Sequence, residues 1–165
     1  VIRLVTVCTG NICRSPMAEQ VLRVALADAG LSDRVEVSSV GIGPWHVGEP
    51  MDRRAAATLS AHGYTSEHVA RQVADDVIDA DLLLAATADH ARDLRRAGAD
   101  PEAVRLLRSF DPAASDGAEV PDPYYGGDEG FDEVLAMIEA AAPGVVAWVR
   151  ETERIGARPV GEERS

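Results

Sequence analysis

Apolar residues along the chain follow two different rhythms. Residues 2–7 (IRLVTV) and 81–86 (DLLLAA) are short, nearly continuous apolar runs of the kind that fills buried strands. Residues 34–40 (RVEVSSV) and 104–107 fit two further strands. Between the first two strands the spacing changes. Ala18, Val21, Leu22, Ala25, Leu26 and Ala29 recur at helical intervals, opposite Glu19, Gln20, Arg23 and Asp28. This predicts an amphipathic helix with Ser15 as its N-cap, Pro16 at the first helical position and Gly30 at the stop. Further helices are expected over residues 52–62, within VADDVIDA, and over 89–97, with Gly63 and Gly98 ending the first and last. Residues 109–130, with three prolines and four glycines, read as a long loop. Phe131, Val134, Leu135 and Ile138 begin a final helix, interrupted or kinked at Pro143-Gly144 and resumed by Val145, Trp148 and Val149. From Thr152 the apolar period is lost, so one domain over residues 1–151 and a frayed tail over 152–165 are expected.

Strands alternating with helices predict an α/β fold with a parallel sheet covered on both faces. Ligands in such folds bind beyond the carboxyl ends of the strands.

Composition narrows the partners. The chain has 165 residues, 28 acidic and 16 basic, for a net charge of −12. That surplus works against long-range attraction of nucleic acid or anionic membrane, and neither is expected as a partner. An anion site would have to rely on local donors. No apolar run is long enough for a membrane span, and VIRLVTVCTG lacks the parts of a signal peptide, so a cytoplasmic protein is expected. Because the chain starts at Val1, a short piece upstream is expected as well.

Both cysteines lie in one strand-to-helix turn, VCTGNICRSP, five positions apart. Such a turn can curl its N–H groups towards one centre, where the helix N-terminus adds unpaired donors. Gly10 and Asn11 are residue types that tolerate the backbone angles a curl demands. Arg14 adds a planar fork for two phosphate oxygens. Cys8 at the floor, among amide dipoles and a guanidinium, is favoured as thiolate and placed for in-line attack on phosphorus. Ser15 can donate to its sulfur. Cys13 has two readings, a small packed residue or a partner that condenses with oxidised Cys8 and shields it.

Ester cleavage also needs a proton donor. Asp122, held before Pro123, is a candidate, with Asp111 and Asp128 as rivals. Trp45, Tyr124 and Tyr125 are aromatic residues in polar loops, and together they suggest walls of a slot for a flat ring. His46, beside Trp45, is a candidate for touching substrate. The four histidines show no metal-ligand spacing, so no metal or other cofactor is expected.

At these residues the chain resembles the low-molecular-weight protein tyrosine phosphatase family of bacterial type. VCTGNICRSPMAE matches the family's active-site signature and PDPYYGGD (121–128) its second motif; WHVG (45–48) and HVARQV (68–73) also fit. The resemblance implies a three-layer fold with a four-stranded parallel sheet in the order 2-1-3-4. It implies hydrolysis of phosphotyrosine through a cysteinyl-phosphate, without metal. Carried over by position, Cys8 is the nucleophile, Arg14 binds phosphate and stabilises the transition state, and Asp122 is the general acid. The phosphate-binding loop comprises Thr9, Gly10, Asn11, Ile12, Cys13, Arg14 and Ser15, with Ser15 assisting the thiolate. Ser39 and His68 support Asn11. Where many members have an Asp after the third strand, this chain has Thr87.

Expected partners are tyrosine-phosphorylated proteins or peptides, with phosphate, sulfate or vanadate as active-site anions. Three alternatives stand beside this reading. A phosphoarginine phosphatase is the nearest, but relatives of that specificity carry threonine where Ile12 stands. An arsenate reductase would need further cysteines, and none follows Cys13. A phosphopeptide-binding module would have lost the nucleophile or the acid, and both are present.

Overall fold

The computed structural model describes residues 1–124 and 126–156. Its centre is a sheet of four parallel strands: β1 (Ile2–Cys8), β2 (Val35–Gly41), β3 (Leu82–Ala85) and β4 (Val104–Leu106), in the order β2-β1-β3-β4. Along β1, Leu4 pairs with Val37 on one side and Leu82 on the other, and Cys8 ends its ladder opposite Gly41. The central strands are buried on both faces over most of their length, which is why they read as nearly continuous apolar runs.

Alternation along the strands divides the core in two. Leu4, Leu82 and Leu84 face α1 (Arg14–Asp28), α2 (Arg53–Ala61) and α5 (Glu129–Gly156), where they meet Met17, Leu22, Leu59, Phe131 and Ile138. Val5, Val7 and Leu83 face the opposite layer, with Val77 of α3 (Asp75–Ile78) and Leu94 of α4 (Ala88–Arg96). Burial of each such side chain contributes roughly 1.5–3 kcal/mol. The three layers hold the carboxyl ends of β1 and β2 side by side, and the turn after Cys8 lies there.

Three local expectations are corrected. Ser15 is not the N-cap: α1 begins at Arg14 after Cys13, and no side chain caps it. The Ser15 hydroxyl is engaged elsewhere, within reach of Cys8 and Asn11, so the first amides of the helix are left open towards the turn. The final helix is not interrupted at Pro143-Gly144 but runs through them as one helix. Proline forfeits one backbone bond there, while buried Leu135, Ile138 and Ala141 before it and Val145, Val146 and Val149 after it hold both halves to the core. Gly144 gives the helix room, because a Cβ there would lie 2.1 Å from the Phe110 carbonyl oxygen. The helix also continues past Thr152 to Gly156, where Glu153 pairs with Arg34 across from α1. The rest of the expected tail lies outside the described residues. Among the described residues no helix is long and apolar enough to cross a membrane.

Candidate active site

The turn from β1 into α1 has its carbonyls claimed from outside. Cys8 O accepts from the Ile42 amide and Thr9 O from the Gly43 amide, both at 2.9 Å. Ile12 O accepts from the Asp52 amide at 2.8 Å, and Cys13 O from the Met17 amide at 3.1 Å. His68 Nε2 donates to Asn11 O at 2.7 Å, which fixes the proton of that imidazole on Nε2. In a trans peptide the N–H points opposite to the C=O, so carbonyls turned outwards leave the amides facing inwards. Among the described residues, the amides of Gly10, Asn11, Ile12 and Cys13 have no acceptor within the chain. The result is a bowl of donors at a helix N-terminus, suited to an anion.

Asn11 closes this curl. It is fully buried and adopts φ +60°, the one left-handed non-glycine residue among those described. Its Nδ2 donates to Ser15 Oγ at 2.8 Å and to Ser39 Oγ at 3.0 Å, while its Oδ1 accepts from the Arg71 amide at 2.9 Å. Ser39 Oγ donates in turn to Glu19 Oε1 at 2.5 Å. Gly10 plays a different part from the one its type suggests. It has no positive φ; instead a Cβ there would lie 2.8 Å from Cδ2 of His46, whose ring covers it.

The candidate reacting groups sit at the floor and rim. Cys8 is buried, with Sγ 3.0 Å from Ser15 Oγ. The Arg14 guanidinium is held by two acceptors, donating from Nη1 to Val120 O at 3.1 Å and from Nη2 to Thr9 Oγ1 at 3.2 Å. Its Nη2 also lies 3.6 Å from Asp122 Oδ2; the arginine side chain is 6% exposed and the aspartate 38%. The other oxygen of Asp122 accepts from the Tyr124 amide at 3.0 Å, so the carboxylate is aimed by its own turn.

A cavity of about 460 Å³ opens above the sulfur. Ile12, Trp45, His46, Asp122 and Tyr124 line it together with the loop. Trp45 is 67% exposed and folds over Gly43, where any Cβ would overlap its ring. His46 Nδ1 lies 2.7 Å from Glu49 Oε2. Tyr125 lies outside the described residues. Asp111 and Asp128 are not among the residues lining the cavity, whereas Asp122 is.

Cys13 is a free thiol, buried like Cys8. Burial first, then the negative charges of Asp52 and Cys8, push its pKa far above the ordinary thiol value. Thr87 has a defined place as the N-cap of α4, its Oγ1 accepting from the His90 amide at 3.3 Å.

Several participants escaped the sequence reading. Gly41 ends β2 directly beneath the turn, and a Cβ there would lie 2.9 Å from Asn11 N and Gly10 C. His90 Nε2 lies 2.8 Å from Thr9 Oγ1, behind the Arg14 guanidinium. Glu19, Arg71 and Asp52 anchor the loop from outside. The glycine closing a strand was a visible signal for Gly41. Nothing in the spacing pointed to His90.

Comparison with known proteins agrees with this geometry. The sequence profile described as "Low molecular weight phosphotyrosine protein phosphatase" matches residues 3–155. "Low molecular weight protein-tyrosine phosphatase A" of Mycobacterium tuberculosis is 53% identical over 146 residues, covering 88% of this chain and 90% of its own. The crystal structure of a protein tyrosine phosphatase from Entamoeba histolytica superposes with a TM-score of 0.87 at 28% identity, covering 93% of this chain and 99% of its own. The Drosophila arginine phosphatase shares the fold too, with a TM-score of 0.81 at 25% identity over 88% of this chain and 96% of its own. A signature loop in the expected fold and a match over nearly the whole length lead to one conclusion: the chain belongs to the low molecular weight phosphotyrosine protein phosphatase family of hydrolases.

Proposed function

We propose that the chain is a protein-tyrosine phosphatase working through a cysteinyl-phosphate. The observation that carries this reading is the bowl of inward amides with Cys8 at its floor and Arg14 at its side. A phosphoryl group seated there meets the amides and the Arg14 fork through its non-bridging oxygens. The Cys8 thiolate attacks phosphorus, forming the S–P bond as the P–O bond to the tyrosine ring breaks. Asp122 passes its proton to the departing phenolic oxygen. The same carboxylate then takes a proton from water, whose oxygen attacks phosphorus. The S–P bond breaks, inorganic phosphate leaves, and the thiolate and the protonated Asp122 are restored. Ser39, His68 and Asn11 keep the loop open throughout. Sulfate and vanadate compete for the same bowl.

Substrate preference follows from the cavity. Trp45, His46 and Tyr124 stand over a buried nucleophile, and this depth suits a phosphate carried on the long, flat tyrosine side chain. Phosphoserine is too short to bring phosphorus to Cys8. The apolar Ile12 in the lining offers no hydrogen bond to a guanidinium, which supports phosphotyrosine over phosphoarginine.

The test is hydrolysis of matched peptides carrying phosphotyrosine, phosphoserine or phosphoarginine, without added metal. Turnover of phosphotyrosine with inhibition by vanadate is expected, and Cys8→Ser abolishes it while still binding phosphate. Turnover by Cys8→Ser comparable to the parent, or preferential hydrolysis of phosphoarginine, overturns the reading.

A further inference from the structure

Arg54, at the start of α2, takes no part in the chemistry described above, yet its side chain touches more of the site's framework than any reacting group. Its Nε and Nη2 each donate to the Asp52 carboxylate at 3.3 Å. Nη2 also donates to Tyr124 O at 2.8 Å, and Nη1 reaches Gly126 O at 3.5 Å. The guanidinium carbon lies over two rings, 5.4 Å from the centre of Tyr124 and 4.8 Å from that of Phe131. Asp52 faces the other way as well: its amide donates to Ile12 O at 2.8 Å, and its Oδ1 caps α2 by accepting from the Arg54 amide at 2.8 Å.

Taken in order, these contacts run from the phosphate loop at Ile12, through Asp52 and Arg54, to the carbonyl of Tyr124. The amide of that same tyrosine donates to Asp122 Oδ1 at 3.0 Å. The peptide planes on both sides of Tyr124 are therefore pinned, one by Arg54 and the other by Asp122 itself. We propose that Arg54 is the positioning residue of the proton donor, fastening the loop that carries Asp122 to the same anchor that fastens the phosphate loop. This rests on the reading of Asp122 as the general acid.

The chemistry of the side chain fits that task. A guanidinium offers several donors in a fixed plane, enough to serve a carboxylate and two carbonyls while its face packs on aromatic rings. A lysine ammonium carries its three donors at one point, so it lacks the planar fork that spans the carboxylate and both carbonyls and has no flat face for the rings. The Asp52–Arg54 pair is firm on its own account. Burial alone pushes the Asp52 carboxyl up, but the Arg54 side chain and the Arg54 and Ala55 amides outweigh it and hold the group below the usual carboxylate range. Proton transfer is sensitive to small displacements of the donor, so a loop freed from this tie should lose acid catalysis before it loses anion binding.

The experiment compares Arg54→Lys, Arg54→Gln and Asp122→Ala with the parent, using kcat/KM, which reads the first phosphoryl transfer. Phenyl phosphate, whose leaving group needs a proton, is set against 2,4-dinitrophenyl phosphate, whose leaving group does not. For both Arg54 variants the expected loss is roughly ten- to hundredfold on phenyl phosphate and under about threefold on the dinitrophenyl ester. Inhibition by inorganic phosphate should change by less than about threefold, since the bowl is spared. In the Asp122→Ala background, Arg54→Lys should add no further loss.

Equal losses on the two esters, or loss of phosphate binding in both Arg54 variants, overturn the proposal, because the tie would then serve the fold or the bowl instead. An undiminished Arg54 effect without Asp122 overturns it equally. The two readings fail separately. If Asp122→Ala itself lowers both esters alike, the assignment of the acid is wrong; if only the Arg54 variants do so, the acid stands and Arg54 does not position it.

Discussion

Ser15 Oγ lies 3.0 Å from Cys8 Sγ and accepts a hydrogen bond from Asn11 Nδ2 at 2.8 Å. The hydroxyl has one proton to donate, whatever its oxygen accepts from the asparagine. Val40 O competes for it at 3.4 Å, a longer approach than that to the sulfur. On the proposed mechanism Cys8 is a thiolate, which can only accept, so the Ser15 hydroxyl donates to it and stabilises its charge both before attack and when sulfur leaves phosphorus. Ser15→Ala should lower kcat roughly ten- to hundredfold by slowing hydrolysis of the thiophosphate. Trapped phosphoenzyme in the steady state should rise accordingly. An unchanged kcat would remove the role.

Gly41 and Gly10 make a paired prediction. A Cβ at Gly41 meets main-chain atoms of the loop at 2.9–3.0 Å, and these cannot yield without moving the bowl. At Gly10 the obstacle is the His46 side chain, which can rotate aside. Gly41→Ala should cost about 1–3 kcal/mol of stability and on the order of a hundredfold in activity. Gly10→Ala should cost much less of both. Thermal melts and kcat measured side by side decide it, and a reversed order contradicts the packing argument.

His90 carries a pH dependence. Burial, then the charge of Arg14, pushes its pKa down to about 4. An unfolded chain holds an ordinary imidazole, with a pKa near 6.5. As pH falls from about 6.5 towards about 4, the unfolded state takes up a proton that the folded state refuses, so stability falls across that window. By pH 4.5 the contribution is on the order of 2–3 kcal/mol. His68 is lowered in the same direction, mainly by burial, and adds to the slope. His90→Gln should flatten the fall in melting temperature between pH 7 and pH 4.5. Identical profiles for parent and variant would count against it.

Cys13 bears on oxidation. Its thiol is held protonated at neutral pH by burial, which makes it a slow partner for an oxidised Cys8. If Cys13 shields the nucleophile, peroxide-treated enzyme should form the Cys8–Cys13 disulfide faster as pH rises. Thiol should then restore activity to the parent better than to Cys13→Ser. Equal recovery in the two proteins removes the shielding role.

The sheet was legible in the sequence because its strands are short apolar runs, and α1 because Ala18, Val21, Leu22 and Leu26 mark a buried face, although Glu19 and Gln20, read as the polar face, are buried too against Ser39 and Glu67. Cys8, Arg14 and Ser15 were legible as a spacing at one turn, with PDPYYGGD marking Asp122 far away. The start of α1 was misread because Ser15 is a capping type, whereas its hydroxyl here is committed to a sulfur and an asparagine. Gly10 was read for its backbone freedom, but the constraint comes from His46, a contact across loops that no local pattern encodes. The extension of α5 to Gly156 brings Glu153 to Arg34, a contact between residues remote in sequence. Arg54 and His90 were invisible for the same reason: each acts on the site through contacts that only folding creates.

The loop's outward-tied carbonyls have a consequence for how such a catalyst can diversify. On the proposed reading, its grip on the substrate's charged end comes, beside the Arg14 side chain, from main-chain N–H groups that every residue type except proline possesses. Side chains such as Ile12, which face the entering molecule, can therefore be exchanged to suit a new clientele while the anchoring machinery keeps its donors.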